Sequence, residues 1–596
     1  MPEATVADTG GGEGPILRIH FVQQVLQLAG PYWKSEHKGK IRAATLALFL
    51  LTVGQVALAV WSTYWNRDLF DALEQRFVPG VLAQVGVFAL IFALSIGVTA
   101  AHLMVKRWLQ IGWRAWLTEK LIGRWMEDGR HCRLLFSAGE HDNPDGRIAE
   151  DIRIATETAI ALVHTMVYSL LSLGLFIDIL WSVSGSITVP GTTIQVPGYL
   201  VPLAFLYAGA GTVLGWMFGR PLVRSTNTMQ SAEANFRFGL ARAREHSEAI
   251  ALIHGEPIER AGAAVRFTQI VRNWDRQSLA YMGIVSFSTG YGLVLPVFPI
   301  LVAAPQYIFG TMSLGALMQA ALAFQRLTSA LSWPIDNLAD LARCRASADR
   351  VLSLHRELRR LDAEEHAPNG HRIGLGRSDR GRLVIDDLCI VDPRGRVLIE
   401  HFSAEIQRGE RVLVAGDPTV TSSLFKVIAG LWPWGSGRVL LPESNSTLFM
   451  PDRPYLPEGT LRQALCYPSP PDAFSDECVR HALECAGISW LAPRLDEPDI
   501  WERALPLRAQ QRLGFARVLM QRPTWIFMEE ATSAFDPKGE RLILQALHRG
   551  LANAAVLTIG FHPGLEPLYQ RKIILSRVQD TTDLIEGQHE NSVASH

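Results

Sequence analysis

The stretch GVLAQVGVFALIFALSIGVTAAHLM, Gly80–Met104, holds no Asp, Glu, Lys or Arg over twenty-five residues. A helix of that length, rising about 1.5 Å per residue, crosses a hydrocarbon layer about 30 Å thick with its backbone hydrogen bonds closed internally. Five other stretches are mostly apolar over a comparable length: Ile41–Trp65, Ala155–Val183, Tyr199–Phe218, Ala280–Ala303 and Met312–Trp333. Pro296 and Pro299 fall in this set, and membrane helices tolerate proline because neighbouring groups satisfy the freed carbonyls. The spacing therefore predicts six spans.

Outward from the spans, the charge is lopsided. The segment after the second span carries Lys106, Arg107, Arg114, Lys120, Arg124, Arg130, Arg133, Arg147 and Arg153. The segment after the fourth carries Arg220, Arg224, Arg237, Arg242, Arg244, Arg260, Arg266, Arg272 and Arg276. The linkers after spans three and five hold no Lys or Arg. Positive loops stay on the cytoplasmic side, so both long segments and both termini are expected there. Trp61, Trp65 and Trp181 sit near span ends, as interfacial anchors or as ordinary packing residues. Leu17–Trp33 spaces Leu17, Phe21, Val22, Val25, Leu26 and Leu28 as a helix along the inner surface, and Ser182–Val196 reads as a small external hairpin.

Composition agrees with a chain only partly in water. Of the 596 residues 19% are charged, against about 25% in soluble domains, and 48% are hydrophobic. Net charge is −1, and no long basic stretch interleaved with aromatics is present to track a nucleic-acid backbone, so nucleic acid is not an expected partner. The six cysteines (Cys132, Cys344, Cys389, Cys466, Cys478, Cys485) form no CxxC pair and fall outside the external loops, which suits reduced thiols rather than disulfides or zinc. Met1 to Pro15 lacks the basic start and apolar core of a cleavable signal, so the first span is expected to direct insertion. From about Arg343 to Arg380 a charged helix leads into a linker. Leu383 to Leu575 alternates β-rich and helical runs, the mark of an α/β domain, and the polar tail after Arg577 is expected to be disordered.

Two sets of residues carry a family resemblance. In the membrane half these are Pro31-Tyr-Trp-Lys-Ser-Glu36, Trp113-Arg-Ala-Trp-Leu-Thr118, Asp142-Asn-Pro-Asp-Gly-Arg-Ile-Ala-Glu-Asp151, and Arg244-Glu-His-Ser-Glu-Ala-Ile-Ala251 with Gly255-Glu256. They resemble the SbmA/BacA peptide-uptake permeases and the peroxisomal fatty-acyl transporters, one branch of the ATP-binding-cassette (ABC) transporters. In the other half Gly416-Asp-Pro-Thr-Val-Thr-Ser-Ser-Leu-Phe425 stands where that family has its phosphate loop, and Pro451-Asp-Arg-Pro-Tyr-Leu-Pro457 where it has its Gln loop. Leu505-Pro-Leu-Arg-Ala-Gln-Gln-Arg512 stands at the signature, Trp525-Ile-Phe-Met-Glu-Glu-Ala-Thr-Ser-Ala-Phe-Asp536 at Walker B and the D-loop, and Thr558-Ile-Gly-Phe-His562 at the switch. The resemblance implies a six-span, α-helical, exporter-type transmembrane domain followed by an α/β P-loop nucleotide-binding domain. It divides the chain into a flexible 1–16, a transmembrane domain 17–341, a linker 342–380, a nucleotide-binding domain 381–576 and a disordered tail 577–596.

It also implies ATP and Mg as cofactors, a second copy or a related half-transporter as partner beside lipid and a transported solute, and a bacterial inner membrane as location. Its chemistry is altered, however. Thr421 stands for the Walker lysine, Pro418, Thr419 and Val420 replace the loop's glycines, Asp452 replaces the Gln-loop glutamine, and Phe561 takes the switch position with His562 one place late. The nucleotide-facing set implied is Gly416, Thr421, Ser422, Ser423, Asp452, Glu529 and Asp536. Ser422 and Glu529 are the magnesium candidates, Glu530 and His562 the catalytic ones, and Leu505, Arg508, Ala509 and Gln510 the signature. A missing ammonium and a missing N–H weaken a phosphate site, so little or no ATP hydrolysis is expected. Arg147, Glu150 and Asp151 are candidates for carrying force between domains, or else a solvated helix start. Glu248 and Glu256 are candidates for proton coupling, or surface carboxylates paired with Arg244 or Arg260. The function implied is uptake of peptides, other bulky hydrophilic molecules or fatty-acyl compounds. The alternatives are a proton-driven permease that keeps the cassette as a dimer clamp, and a membrane sensor.

Overall fold

The computed structural model describes residues 23, 25–135, 143–188, 195–365, 372–378, 381–392, 395–442, 447–560 and 566–576. They fall into two compact units, one drawn from 1–124 and 142–356, the other from 125–141 and 357–596.

The first unit is helical. Its helices are α1 (Lys38–Glu74), α2 (Val78–Met126), α3 (Ile152–Ser184), α4 (Leu200–Glu245), α5 (Ser247–Leu252), α6 (Glu256–Ile308), α7 (Leu314–Asp336) and α8 (Leu338–Glu365), the last of which runs past the unit's edge. Among the described residues five helical stretches are long and apolar enough to cross a membrane: Lys38–Glu74, Val78–Leu135, Pro144–Ser184, Leu200–Glu245 and Glu256–Ile308. The sixth expected span forms α7 but falls short of that measure, because Gln319, Gln325 and Arg326 interrupt it. Among the described residues the longest unbroken α-helix, α6, has 53 residues, about 80 Å at about 1.5 Å per residue, so the polar segments between spans are continuations of the span helices rather than loops. In the most apolar windows of the second and fifth stretches only 6% of residues are buried, a surface that requires lipid or another chain.

One core cluster of the unit is built by α3, α4, α6 and α7: Phe176, Leu180, Leu200, Ala204, Ala303, Phe324 and Leu327 are fully buried. At the start of α7 a Cβ on Gly315 would lie 2.1 Å from the Arg67 carbonyl, and the Gly315 N–H donates to Asp71 Oδ1 at 2.9 Å. Only glycine permits that approach. Two short strands, Ser186–Thr188 and Gln195–Pro197, pair antiparallel where the external hairpin was expected. Of the expected surface helix, Leu17, Phe21 and Val22 lie outside the described residues; Leu28 is buried and Leu26 exposed.

The second unit is α/β. A five-stranded sheet uses β4 (Arg411–Gly416), β6 (Thr447–Met450), β7 (Trp525–Glu529), β8 (Ala555–Ile559) and β9 (Arg571–Leu575), in the order β9-β4-β8-β7-β6 and parallel throughout. A four-stranded sheet joins β1 (Gly374–Arg377), β2 (Leu383–Val391), β3 (Val397–Ile406) and β5 (Gly435–Leu441) in the order β1-β5-β2-β3. The parallel strands are covered on both faces, which is why Val412-Leu-Val414, Ile526-Phe-Met528 and Val556-Leu557 read as unbroken apolar runs. Residues 125–135 belong to this unit: Arg130 Nε lies 3.1 Å from Asp362, and Arg133 donates to the Gly430 carbonyl at 3.2 Å. The tail beyond residue 576 lies outside the described residues, as do Phe561 and His562.

Candidate functional site

In parallel α/β sheets ligands gather at the carboxyl ends of the strands, and Gly416, Asp452 and Glu529 lie at or just beyond such ends. Strand β4 ends at Gly416, where φ is +145° and a Cβ would sit 1.8 Å from the Leu575 carbonyl oxygen. Helix α9 (Pro418–Ile428) begins two residues later. A phosphate is held at such a helix start by first-turn N–H groups. Here Asp417 is the N-cap, and its Oδ1 accepts from Thr419 N–H at 2.8 Å and Val420 N–H at 3.2 Å. Pro418 has no N–H, and Thr421 N–H is engaged by the Asp417 carbonyl at 3.0 Å. The chain's own carboxylate occupies the place of the anion.

Thr421 is buried and its hydroxyl donates to the Asp417 and Pro418 carbonyls at 3.1 and 3.3 Å; the Ser423 hydroxyl donates to the Thr419 carbonyl at 2.7 Å. Both side chains face their own helix, while Ser422 is half-buried beside them. Lys426 stands in the last turn of α9 with its ammonium 5.7 Å from the centre of the Trp432 ring.

Asp452, just beyond β6, accepts from the Ser533 hydroxyl at 2.5 Å and from Gln511 Nε2 at 3.2 Å. Gln511 is 1% exposed. Its Nε2 also reaches the Asp452 carbonyl at 2.9 Å and Ser533 Oγ at 2.8 Å, and its Oε1 accepts from Ala534 N–H at 3.1 Å. One amide therefore ties the Gln-loop, signature and Walker B positions together. Glu529 ends β7 half-buried. Glu530 follows with φ +45° and its N–H on the Ile559 carbonyl at 2.9 Å. Among the described residues no three His, Cys, Asp or Glu side chains converge to hold a metal ion.

At the signature position α10 (Leu507–Gln521) buries Ala509 and Gln510, and Leu505 just before it is buried too. Gln510 Nε2 is spent on the Glu502 and Leu505 carbonyls at 2.7 and 2.8 Å. Arg508 is turned outward and pairs with Asp536 at 2.6 Å. Backbone N–H groups, its own and then that of Gly539, together with the Arg508 guanidinium hold the Asp536 carboxyl below the usual carboxylate range.

In the helical unit Asn143 adopts a left-handed conformation (φ +65°) before Pro144, and Arg147–Asp151 form a π-helical turn. Arg147 is buried and donates to Ser353 Oγ at 3.0 Å. Asp151 is buried and takes two hydrogen bonds from Arg350, at 2.8 Å (Nε) and 2.5 Å (Nη2). Glu150 points out, 4.0 Å from Arg153. Glu248 and Glu256 are both exposed, beside exposed Leu252, Ile253 and Ile258. The Asp151 side chain is 9% exposed and that of Arg350 is 49%, so their coupling falls below the several kcal/mol of a fully buried pair. A double-mutant cycle of Asp151→Ala and Arg350→Ala, read from denaturation midpoints in detergent, is expected to give about 1–2 kcal/mol. Additive single variants would show that the pair does not fasten this turn to α8.

Sequence reasoning passed over Asp417, Gln511, Ser533 and Arg350. Asp417-Pro418 had a readable signal, an N-cap residue followed by proline at the first helical position. The other three join segments distant along the chain and carry no local mark.

A family model described as ABC transporter transmembrane region 2 matches residues 28–302. An uncharacterised ABC transporter ATP-binding protein of Synechocystis is 30% identical over 81% of this chain and 73% of its own length. The inner membrane ABC transporter ATP-binding protein YddA of Escherichia coli is 27% identical, covering 92% of this chain and 97% of that protein. The human lysosomal cobalamin transporter ABCD4 is 24% identical over 89% and 91%. Among solved structures, a bacterial Atm1-family ABC exporter with ATP bound superposes with a TM-score of 0.67 at 17% identity, covering 92% of this chain and 96% of that one, a likeness of fold.

Proposed function

Since the chain belongs to the ABC transporters, with a membrane domain and a cassette fused in one half-transporter, we propose that it works as a homodimer in a bacterial inner membrane, both termini cytoplasmic, and takes up peptides or other bulky hydrophilic molecules without turning over ATP. The observation that carries the last clause is the Asp417 carboxylate on the Thr419 and Val420 N–H groups. A triphosphate would have to displace a covalently tethered anion, on a helix start with one N–H deleted by Pro418 and no lysine at position 421. The residues present do not fit the phosphates, nor Mg through them. In a cassette dimer each site joins one subunit's phosphate loop to the other's signature, so a homodimer carries the Asp417 cap and the Arg508–Asp536 pair into both sites. The lysine- and arginine-rich extensions of α2, α4 and α6 support the orientation, and the motifs of the membrane half support peptide uptake.

In this reading a proton gradient drives transport and the cassettes hold the dimer together. Reconstituted vesicles loaded with buffer and offered a fluorescein-labelled peptide are expected to take it up under an imposed pH gradient, at a rate MgATP does not change. Uptake driven by MgATP alone would defeat the inactive-cassette reading. No uptake under either condition would leave the sensor.

A further inference from the structure

Arg326 stands twelve residues into α7, about 18 Å along the helix axis from Leu314 at about 1.5 Å per residue, within a segment otherwise fit to lie in lipid. A guanidinium cannot shed its charge, and a charged side chain at that depth persists only where it meets water or a partner. Arg326 is exposed and lines a cavity of about 560 Å³ bounded by α1, α2, α3 and α7. The polar part of the wall is supplied by Gln55, Ser62, Ser95, Thr99, His164 and Tyr168, while Phe88 and Phe92 make an apolar end. None of the residues lining it is Asp or Glu, so the cavity brings no counter-charge to Arg326.

His164 supplies a second, independent sign. Neither of its ring nitrogens has a hydrogen-bond partner, although both are shielded from solvent. Its ring packs 4.1 Å from that of His102, itself buried with Nε2 unpaired. Buried polar groups are normally satisfied, so two unpaired imidazoles packed behind the same wall add polarity beside an uncompensated cation, where a purely lipid-facing groove would be apolar. Thr165, also in the wall, accepts from Trp333 Nε1 at 2.9 Å and so fixes α3 to α7 at the cavity's edge.

We propose that this cavity is the subsite for an anionic group of the transported solute, a carboxylate or phosphate, with Arg326 as its cation, Tyr168 and the wall's hydroxyls as hydrogen-bonding groups, and Phe88 and Phe92 receiving an apolar neighbour of that group. It rests on the transporter reading above but not on the state of the cassette. A carboxylate at a peptide's C-terminus meets its terms.

The test reads charge preference without knowing the solute. A Ser95→Cys thiol in the full-length protein, in discs of phosphatidylcholine, is labelled with the anionic sulfonatoethyl and the cationic trimethylammonioethyl methanethiosulfonates, with exposed Cys485 as the reference site. Adding Arg326→Gln is expected to lower the anion-to-cation rate ratio at that thiol by about tenfold, with Arg326→Lys retaining most of it. No labelling by either reagent would place the cavity against lipid and overturn the proposal, as would a ratio that ignores the arginine. Phosphatidylglycerol added to the discs separates the two sources of anion. An unchanged rate relative to Cys485 supports the solute, and loss of anionic labelling would assign the site to a lipid headgroup instead. A charge preference that stands while the vesicles show no uptake would sink the transporter reading and spare the anion site.

Discussion

The purified protein in lipid is expected to release phosphate from MgATP no faster than its Glu530→Gln variant, and to gain no thermal stability from MgATP. An intact cassette at a hundredfold excess over its dissociation constant would gain about 2.7 kcal/mol. The difference lies in the first turn of α9. A fixed carboxylate about 4 Å from a phosphate oxygen opposes it by about 4 kcal/mol per unit charge at an effective dielectric of 20, which alone is nearly a thousandfold in affinity. Loss of the lysine charge adds to this, and Pro418 leaves no N–H to compensate. Asp417→Gly separates charge from shape: glycine caps a helix at a cost of only a few tenths of a kcal/mol and releases the Thr419 and Val420 N–H groups. That variant is expected to show weak MgATP-dependent stabilisation where the wild type shows none, with hydrolysis still absent. Wild-type turnover at an ordinary transporter rate, lost in Glu530→Gln, would refute the proposal.

The elements that could be read from sequence are those whose cause is local. Gly80–Met104 declares a span because apolar length alone decides it, and Val412-Leu-Val414 declares a parallel strand because both faces are covered. The sixth span was legible as a helix, but Arg326 within it carries no local mark, since only the cavity formed by three other helices gives it meaning. The family frame placed Thr421 and Ser423 in the nucleotide-facing set and Ala509 and Gln510 in the signature, and all four side chains are buried. Thr421, Ser423 and Gln510 bond to nearby backbone carbonyls. Alignment fixes position along the chain but not which way a side chain turns once the neighbouring residues differ. The pairing of Asp151 with Arg350 spans 199 residues and could come only from the fold.

Gln511→Leu is expected to loosen the second unit, although the residue lies away from its apolar core. Its amide has two donor hydrogens shared among the Asp452 carbonyl, Asp452 Oδ1 and Ser533 Oγ, and one acceptor for Ala534 N–H. Leucine fills a similar volume at a position 1% exposed but leaves the N–H of half-buried Ala534 and the carbonyl of half-buried Asp452 unpaired, each at about 1–3 kcal/mol. The Ser533 hydroxyl remains on Asp452, so the net loss is expected near 3 kcal/mol, or about a hundredfold faster hydrogen exchange in β7 and α10 of the full-length protein. Gln511→Glu sharpens the argument. It keeps an acceptor for Ala534 but sets a carboxylate against Asp452, and two carboxylates at hydrogen-bond distance raise one folded pKa well above its unfolded value. Such a group contributes its stability below the unfolded pKa and loses it as pH rises through the folded one. The glutamate variant should therefore exchange faster than the leucine variant at neutral pH and recover on acidification, as one shared proton replaces the amide's. Leucine and wild-type proteins with equal protection in β7 and α10 would show that this amide is incidental, and that apolar packing alone holds the three loops in place.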